Sequence, residues 1–195
     1  MKNNRKERLT KAISIYKKEI TLIGLAIIIL LFSIINLIVF SINKNYVPTI
    51  MYRTYTKTNG WSKWTKNGKN SGFKNQDITG IQVKLNSKYK GHVFYDVYYN
   101  GKWSDLNTHD GKTAGNKKSE ISGIRVNLTD ETFNRYSIYY TTHNKSDKWM
   151  LFNKDGYQSG NAKRKIDMIK ILISKKDNSN YEKPIIGKTR YKNFD

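Results

Sequence analysis

The chain has no cysteine among its 195 residues, so disulfide stapling and thiolate chemistry are both excluded. Its stability must rest on an apolar core. Acidic side chains are scarce too: 15 Asp and Glu stand against 36 Lys and Arg, a formal charge of +21. Solubility of a small domain is met by about 2–8 units of net charge, so the surplus points to polyanions as partners. Catalytic signatures are missing: there is no Gly-x-Ser-x-Gly elbow, no P-loop and no metalloprotease helix motif. The three histidines, His92, His109 and His143, follow no ligand spacing. Neither a metal site, nor a cofactor, nor an enzyme activity is expected.

What the chain does have is one long apolar run. Residues 21–42 carry no charge, and as a helix rising about 1.5 Å per residue they would reach roughly 33 Å, the thickness of a bilayer core. A cleaved signal peptide has an apolar core of roughly 7–15 residues before a small-x-small site, and residues 41–46 offer no such site. The run is therefore expected to stay in place as a signal-anchor. Seven Lys and Arg lie in residues 1–20, which predicts a cytoplasmic N-terminus and an extracellular C-terminal domain. Those 20 residues hold seven basic and two acidic side chains, leaving +16 of the +21 for residues 43–195. Residues 43–49 read as a short linker.

Beyond the linker the chain repeats itself three times. The turn dipeptides Asn67-Gly68, Asp110-Gly111 and Asp155-Gly156 are spaced by 43 and then 45 residues. A second glycine follows each (Gly72, Gly115, Gly160), and then an isoleucine (Ile78, Ile121, Ile166). Each isoleucine opens an alternating apolar series: Ile81-Val83-Leu85, Ile124-Val126-Leu128 and Ile169-Ile171-Ile173. A period of this length marks a supersecondary unit that buries its apolar face only against its siblings. Asn-Gly and Asp-Gly favour two-residue type I′ turns, so each is expected to join two paired strands. The second glycine marks a bend or bulge where a side chain would obstruct the backbone. Strict alternation predicts strands with one buried face, with Gln82 and Lys84 turned to water. A run rich in Tyr, Val, Ile and Thr opens each unit.

The expected fold is all-β: units 50–90, 91–134 and 135–174 share one core around a pseudo-threefold axis. A prism of three small sheets is favoured, with a trefoil barrel as the alternative. Residues 175–195 form a polar tail in which 184–187 would dock as an edge strand.

The run Asn59-Gly-Trp-Ser-Lys-Trp-Thr-Lys-Asn-Gly-Lys-Asn-Ser-Gly72, followed by Ile78-Thr-Gly-Ile-Gln-Val-Lys-Leu85, resembles a ChW repeat. These hydrophobic, tryptophan-containing repeats occur on surface proteins of clostridia and related Gram-positive bacteria. The second copy has Lys102-Trp103 for Gly-Trp and Asn107 for the second Trp, and the third has Trp149 and Phe152. The resemblance covers residues 50–174. It implies a surface-exposed binding or adhesion module without specifying its ligand.

Thirteen of the 14 tyrosines and all four tryptophans lie beyond the anchor. Aromatics fill small β cores and also hold sugar rings. Most of the tryptophans are expected in the core. Trp61 and Trp64, three apart on a strand, should face opposite ways. The candidate ligand contacts are Trp61, Trp64, Trp103 and Trp149 with Lys84, Arg125 and Lys170. The residues Gln82, Arg125 and Lys170 occupy one repeat position and put basic groups on the outer face of two of the three units. The partner so predicted is a cell-wall or surface polysaccharide or polyanion, with a surface protein as the alternative. Nucleic acid would bind only non-specifically, through charge.

Overall fold

The fold is known from a computed structural model, which describes residues 2–104, 107–145 and 148–176, for residues 2–7 the backbone alone. It is mostly β-sheet, with one long apolar helix at the N-terminus. The chain divides into two compact units, Met1–Tyr46 and Val47–Asp195.

The helix α1 (Lys2–Asn45) is unbroken, so it runs through the basic segment and the apolar run and on into the composition-defined linker. Its stretch Arg8–Asn45 is long and apolar enough to cross a membrane, and none of its most apolar window is buried. No proline interrupts it, and Thr21, Ser33 and Asn36 return their side-chain donors to carbonyls one turn back. Polar groups in an otherwise apolar helix are satisfied in this way without a partner.

The second unit begins with β1 (Thr49–Thr56), β2 (Gly60–Trp61), β3 (Thr65–Lys66), β4 (Ser71–Gly72) and β5 (Ile78–Asn86). The second repeat gives β6 (Val93–Tyr99), β7 (Lys102–Trp103) and β8 (Gly123–Leu128). A six-residue helix α2 (Asp130–Arg135) leads to β9 (Tyr136–Asn144), β10 (Lys148–Trp149), β11 (Asn153–Lys154), β12 (Ser159–Gly160) and β13 (Ile166–Lys175). Each repeat is built on one long antiparallel pair: β1 with β5, β6 with β8, β9 with β13. The registers are equivalent, with Tyr52 opposite Val83, Tyr95 opposite Val126 and Tyr140 opposite Ile171.

The turns behave as their sequences dictate. Asn67, Asp110 and Asp155 take φ of 40°, 40° and 47°, and each following glycine is also positive. Lys69 N–H donates to the Lys66 carbonyl across the first turn (3.3 Å), with counterparts in the other two. The Asn or Asp side chain accepts the N–H of Ile50, Val93 or Ile138 at 3.0, 3.1 and 2.9 Å. The strands flanking each turn do not pair with one another, however, contrary to the hairpin expected from sequence. β3 pairs with β1 of its own repeat, whereas β4 crosses to β13 of the third repeat. β12 likewise crosses to β8, and Ala114 bridges Ile81.

The turn glycines carry this further. Gly68 N–H donates to the Ile171 carbonyl, Gly111 to Val83 and Gly156 to Val126, at 2.7, 2.7 and 2.8 Å. Repeat one thus bonds repeat three, two bonds one, and three bonds two. The second glycines explain themselves here. A Cβ on Gly72, Gly115 or Gly160 would lie only 2.1, 2.6 or 2.2 Å from the carbonyl oxygen of Asp167, Thr79 or Ser122 in the neighbouring repeat. The bend read from sequence is a backbone-on-backbone crossing between repeats.

Eight of the nine alternating aliphatics are buried; Leu85 is half-buried. Ile78, Ile121 and Ile166 join them, and Ile121 N–H donates to Ile78 (2.8 Å) while Ile166 donates to Ile121 (3.0 Å). Each buried isoleucine contributes roughly 1.5–3 kcal/mol of transfer free energy. The tryptophans do not fill this core, contrary to expectation: all four are half-buried at its outside. Tyrosines take the place instead, with Tyr52 and Tyr140 fully enclosed and Tyr95 nearly so. A buried hydroxyl needs a partner, and these donate to the carbonyls of Lys69, Lys112 and Tyr157, just past each turn. Even a polar core pair varies as a unit: Thr54 with Ser71 and Thr142 with Ser159 become Val97 with Ala114 in repeat two. The edge strand expected at residues 184–187 lies outside the described residues.

Burial raises the pKa of Tyr52 and Tyr95 to about 12 and that of Tyr140 further still. The folded chain therefore holds these protons more tightly than the unfolded chain, whose tyrosines titrate near pH 10. Their contribution is complete below about pH 10 and is lost as pH rises from there. Unfolding free energy should be level through mild alkali. Above about pH 10 it should fall by up to about 1.4 kcal/mol per pH unit for each tyrosine. Chemical denaturation at a series of pH values checks this, and Tyr52→Phe should flatten the fall; an unchanged slope in that variant contradicts it.

Candidate functional site

The outer face of the repeats carries the candidate residues. In repeat one, β2 lies against β1 with Trp61 opposite Tyr55; in repeat two, Trp103 lies opposite Tyr98; in repeat three, Trp149 lies opposite His143. The three tryptophans are thus structurally equivalent. Each meets its cross-strand ring edge-on or tilted, with centroids 5.3, 5.4 and 5.2 Å apart. That geometry suits the ring quadrupole and holds the indole in place.

A cation stacks on each indole. Arg125 lies 4.1 Å over Trp103 and Lys170 Nζ 4.2 Å over Trp149. In repeat one Arg53 sits 4.7 Å from both Trp61 and Trp64, and Lys84 Nζ lies 4.6 Å over Trp64. Such contacts are worth roughly 0.5–1 kcal/mol at exposed sites. Their larger effect is to hold the cation against the ring. The structure therefore joins residues that sequence reasoning named separately: Lys84 with Trp64, Arg125 with Trp103 and Lys170 with Trp149. The expectation that Trp61 and Trp64 face opposite ways fails, because strand geometry breaks between them and both close on Arg53.

Four contributors were not read from sequence. Arg53 donates from Nε to Gln82 Oε1 (2.8 Å), and Gln82 donates to Thr113 (2.9 Å). Gln82 is thus half-buried and engaged rather than simply solvated. Asp96, directly opposite Arg125, binds its guanidinium through both carboxylate oxygens. Burial raises the pKa of the Asp96 carboxyl, although Arg125 opposes the shift. Lys117 Nζ reaches over both Tyr55 and Trp61, at 5.2 and 5.4 Å. His143, beneath Trp149, is bonded at Nδ1 to the buried Asp167 carboxylate (2.6 Å), whose other oxygen accepts the Asn75 N–H (2.8 Å). The signal for Arg53, Asp96 and His143 was the strand register: they face the named strand or tryptophan once the pairing is known.

Beside Arg125 opens a cleft of about 350 Å³, lined by Phe94, Tyr95, Asp96, Asn127 and Thr129 of repeat two and Gly156 of repeat three. Asn127 Oδ1 is enclosed there with no hydrogen-bond partner. A second cluster, His92, His109 and Asp110, is the one group among the described residues whose ligand atoms converge as a metal site requires. No protein-family model matches the chain, and no curated protein or solved structure is detectably similar to it.

Arg125 and Lys170 occupy the same repeat position but differ in burial of their partners. Arg125→Gln leaves the Asp96 carboxylate, 2 % exposed, without its counter-charge, and should cost about 3–5 kcal/mol. Lys170→Gln removes only a stacked surface charge and should cost under about 1 kcal/mol. Denaturant titration of the two variants checks this ordering, and equal losses would contradict it.

Proposed function

We propose that this protein is a membrane-anchored binding module that recognises an anionic polymer or glycan of the cell envelope. The observation that carries the proposal is that the equivalent half-buried tryptophans Trp61, Trp103 and Trp149 each hold a cation, from Arg53 on β1 in repeat one and from Arg125 and Lys170 on the partner strand in the others. Fixed cations on rigid aromatic platforms suit phosphate or carboxylate groups set along a polymer. Repetition at several weak sites raises overall avidity, and the +16 of residues 43–195 draws polyanions toward the surface.

On this reading the units are divergent ChW-like repeats that close into one pseudo-threefold body of prism type. The cyclic bonding of repeat one to three, two to one and three to two supports that closure. The apolar helix is the anchor, with the basic N-terminus cytoplasmic and the repeats outside. The protein acts by binding, with no chemistry of its own.

A second reading has the same scaffold docking a surface or secreted protein. Leu151 and Tyr157 of repeat three favour it, since they are 55 % and 49 % exposed. The two readings separate on salt. Full-length chain in detergent micelles should bind a glycerol-phosphate polymer at about 0.05 M salt and lose at least about tenfold in affinity by about 0.5 M. Lys84→Gln with Lys170→Gln should weaken the low-salt binding severalfold without altering the fold. Binding unchanged across that salt range would contradict the polyanion reading.

A further inference from the structure

The second repeat carries a cluster that its siblings lack. His92 precedes β6 and His109 precedes the Asp110-Gly111 turn, and the bridge between Phe94 and His109 brings the two imidazole rings to 5.7 Å. One ligand atom from each of His92, His109 and Asp110 lies within 4.8 Å of the other two. His92 Nδ1 hydrogen-bonds Asp110 Oδ2, and His109 Nδ1 lies 3.6 Å from the same oxygen. We propose that His92, His109 and Asp110 form a three-ligand site for a divalent transition-metal ion of the zinc class. Its fourth position stays open to water or to an oxygen of a bound ligand.

The site is preorganised by the turn. Asp110 Oδ1 accepts the Val93 N–H (3.1 Å), which leaves Oδ2 aimed at the histidines. Phe94 holds both imidazoles, lying 5.1 Å from the His109 ring and edge-on to His92 at 6.4 Å. His109 Nδ1 is enclosed and makes no hydrogen bond. A polar atom so placed costs about 1–3 kcal/mol unless something satisfies it. A metal ion on Nδ1 does so.

The sibling repeats show that the fold does not need these side chains. Thr49, Lys66 and Asn67 stand at the same positions in repeat one, and Ser137, Lys154 and Asp155 in repeat three. All three repeats keep the turn acceptor, and repeat two alone adds two imidazoles beside it. Imidazole nitrogen with one carboxylate selects a borderline ion such as Zn²⁺ over Ca²⁺ or Mg²⁺, which demand oxygen shells. Lys112 Nζ lies 3.1 Å from His109 Nε2. Metal on Nδ1 leaves the proton on Nε2, so this exposed lysine swings outward as the ion binds. Lys112→Gln should therefore tighten binding.

The test uses untagged full-length chain in detergent micelles, titrated with Zn²⁺ alone against a chromophoric chelator. One Zn²⁺ equivalent per chain is expected, and Ca²⁺ should not compete for it. The combined variant His92→Thr, His109→Lys, Asp110→Asn copies repeat one and should keep its circular dichroism. It should lose that equivalent by more than the about 10–100-fold that an outer-shell defect costs. In the unmutated chain, ring resonances of His92 and His109 should shift together on titration while those of His143 stay put. The proposal is overturned if no equivalent binds, if the combined variant retains it, if Ca²⁺ displaces it, or if the two ring signals do not move.

Discussion

The interaction on which this β domain depends is a single backbone bond written three times. A turn glycine gives its N–H to the last long strand of another repeat. Asn-Gly or Asp-Gly bends the chain so that this N–H points away from its own repeat, since both central residues have positive φ. The tyrosine hydroxyl then pins the residue after the turn from the core side. The second glycine lets the two backbones cross without a side chain between them. Repeats one and three each lend a turn and a short strand to a neighbour, β4 to β13 and β12 to β8, and repeat two lends its turn and the Ala114 bridge to β5.

This arrangement leaves the outer face free of the bonds that join the repeats. The repeat position of Gln82, Arg125 and Lys170 tolerates three different side chains, because the apolar core is made by the residues on either side of it. Repeat one fills the position with an amide that steadies Arg53, repeat two with an arginine tied to Asp96, and repeat three with a lysine on Trp149. A cation nonetheless ends up on an indole in every case. The same freedom accounts for the histidines of repeat two, which decorate a turn whose backbone work is done by Asp110 Oδ1.

Much of this was legible in the residues. The spacing of Asn67, Asp110 and Asp155 disclosed the repeats and the turn type, and alternation in Ile81-Val83-Leu85 and its siblings disclosed the strands and most of the core. The apolar run located the helix, although its ends lie beyond the uncharged residues because Lys, Glu and Asn are tolerated in a continuing helix. The tryptophans misled because their size suggests burial, while tyrosines, with a carbonyl waiting for each hydroxyl, outcompeted them for the centre. Pairing of β4 and β12 with other repeats left no local trace, since a turn dipeptide specifies its own geometry and not its partner. His92 and His109 stand 17 residues apart, and only the cross-strand bridge at Phe94 makes them neighbours.

The central claim is that the three repeats stand or fall together through the turn-glycine bonds. Amide hydrogen exchange of Gly68, Gly111 and Gly156, followed in the full-length chain, tests it most directly. Interdependent repeats predict slow exchange of all three at one common rate set by global unfolding. One of these amides exchanging about a hundredfold faster than the other two, with its repeat opening alone, would contradict the account.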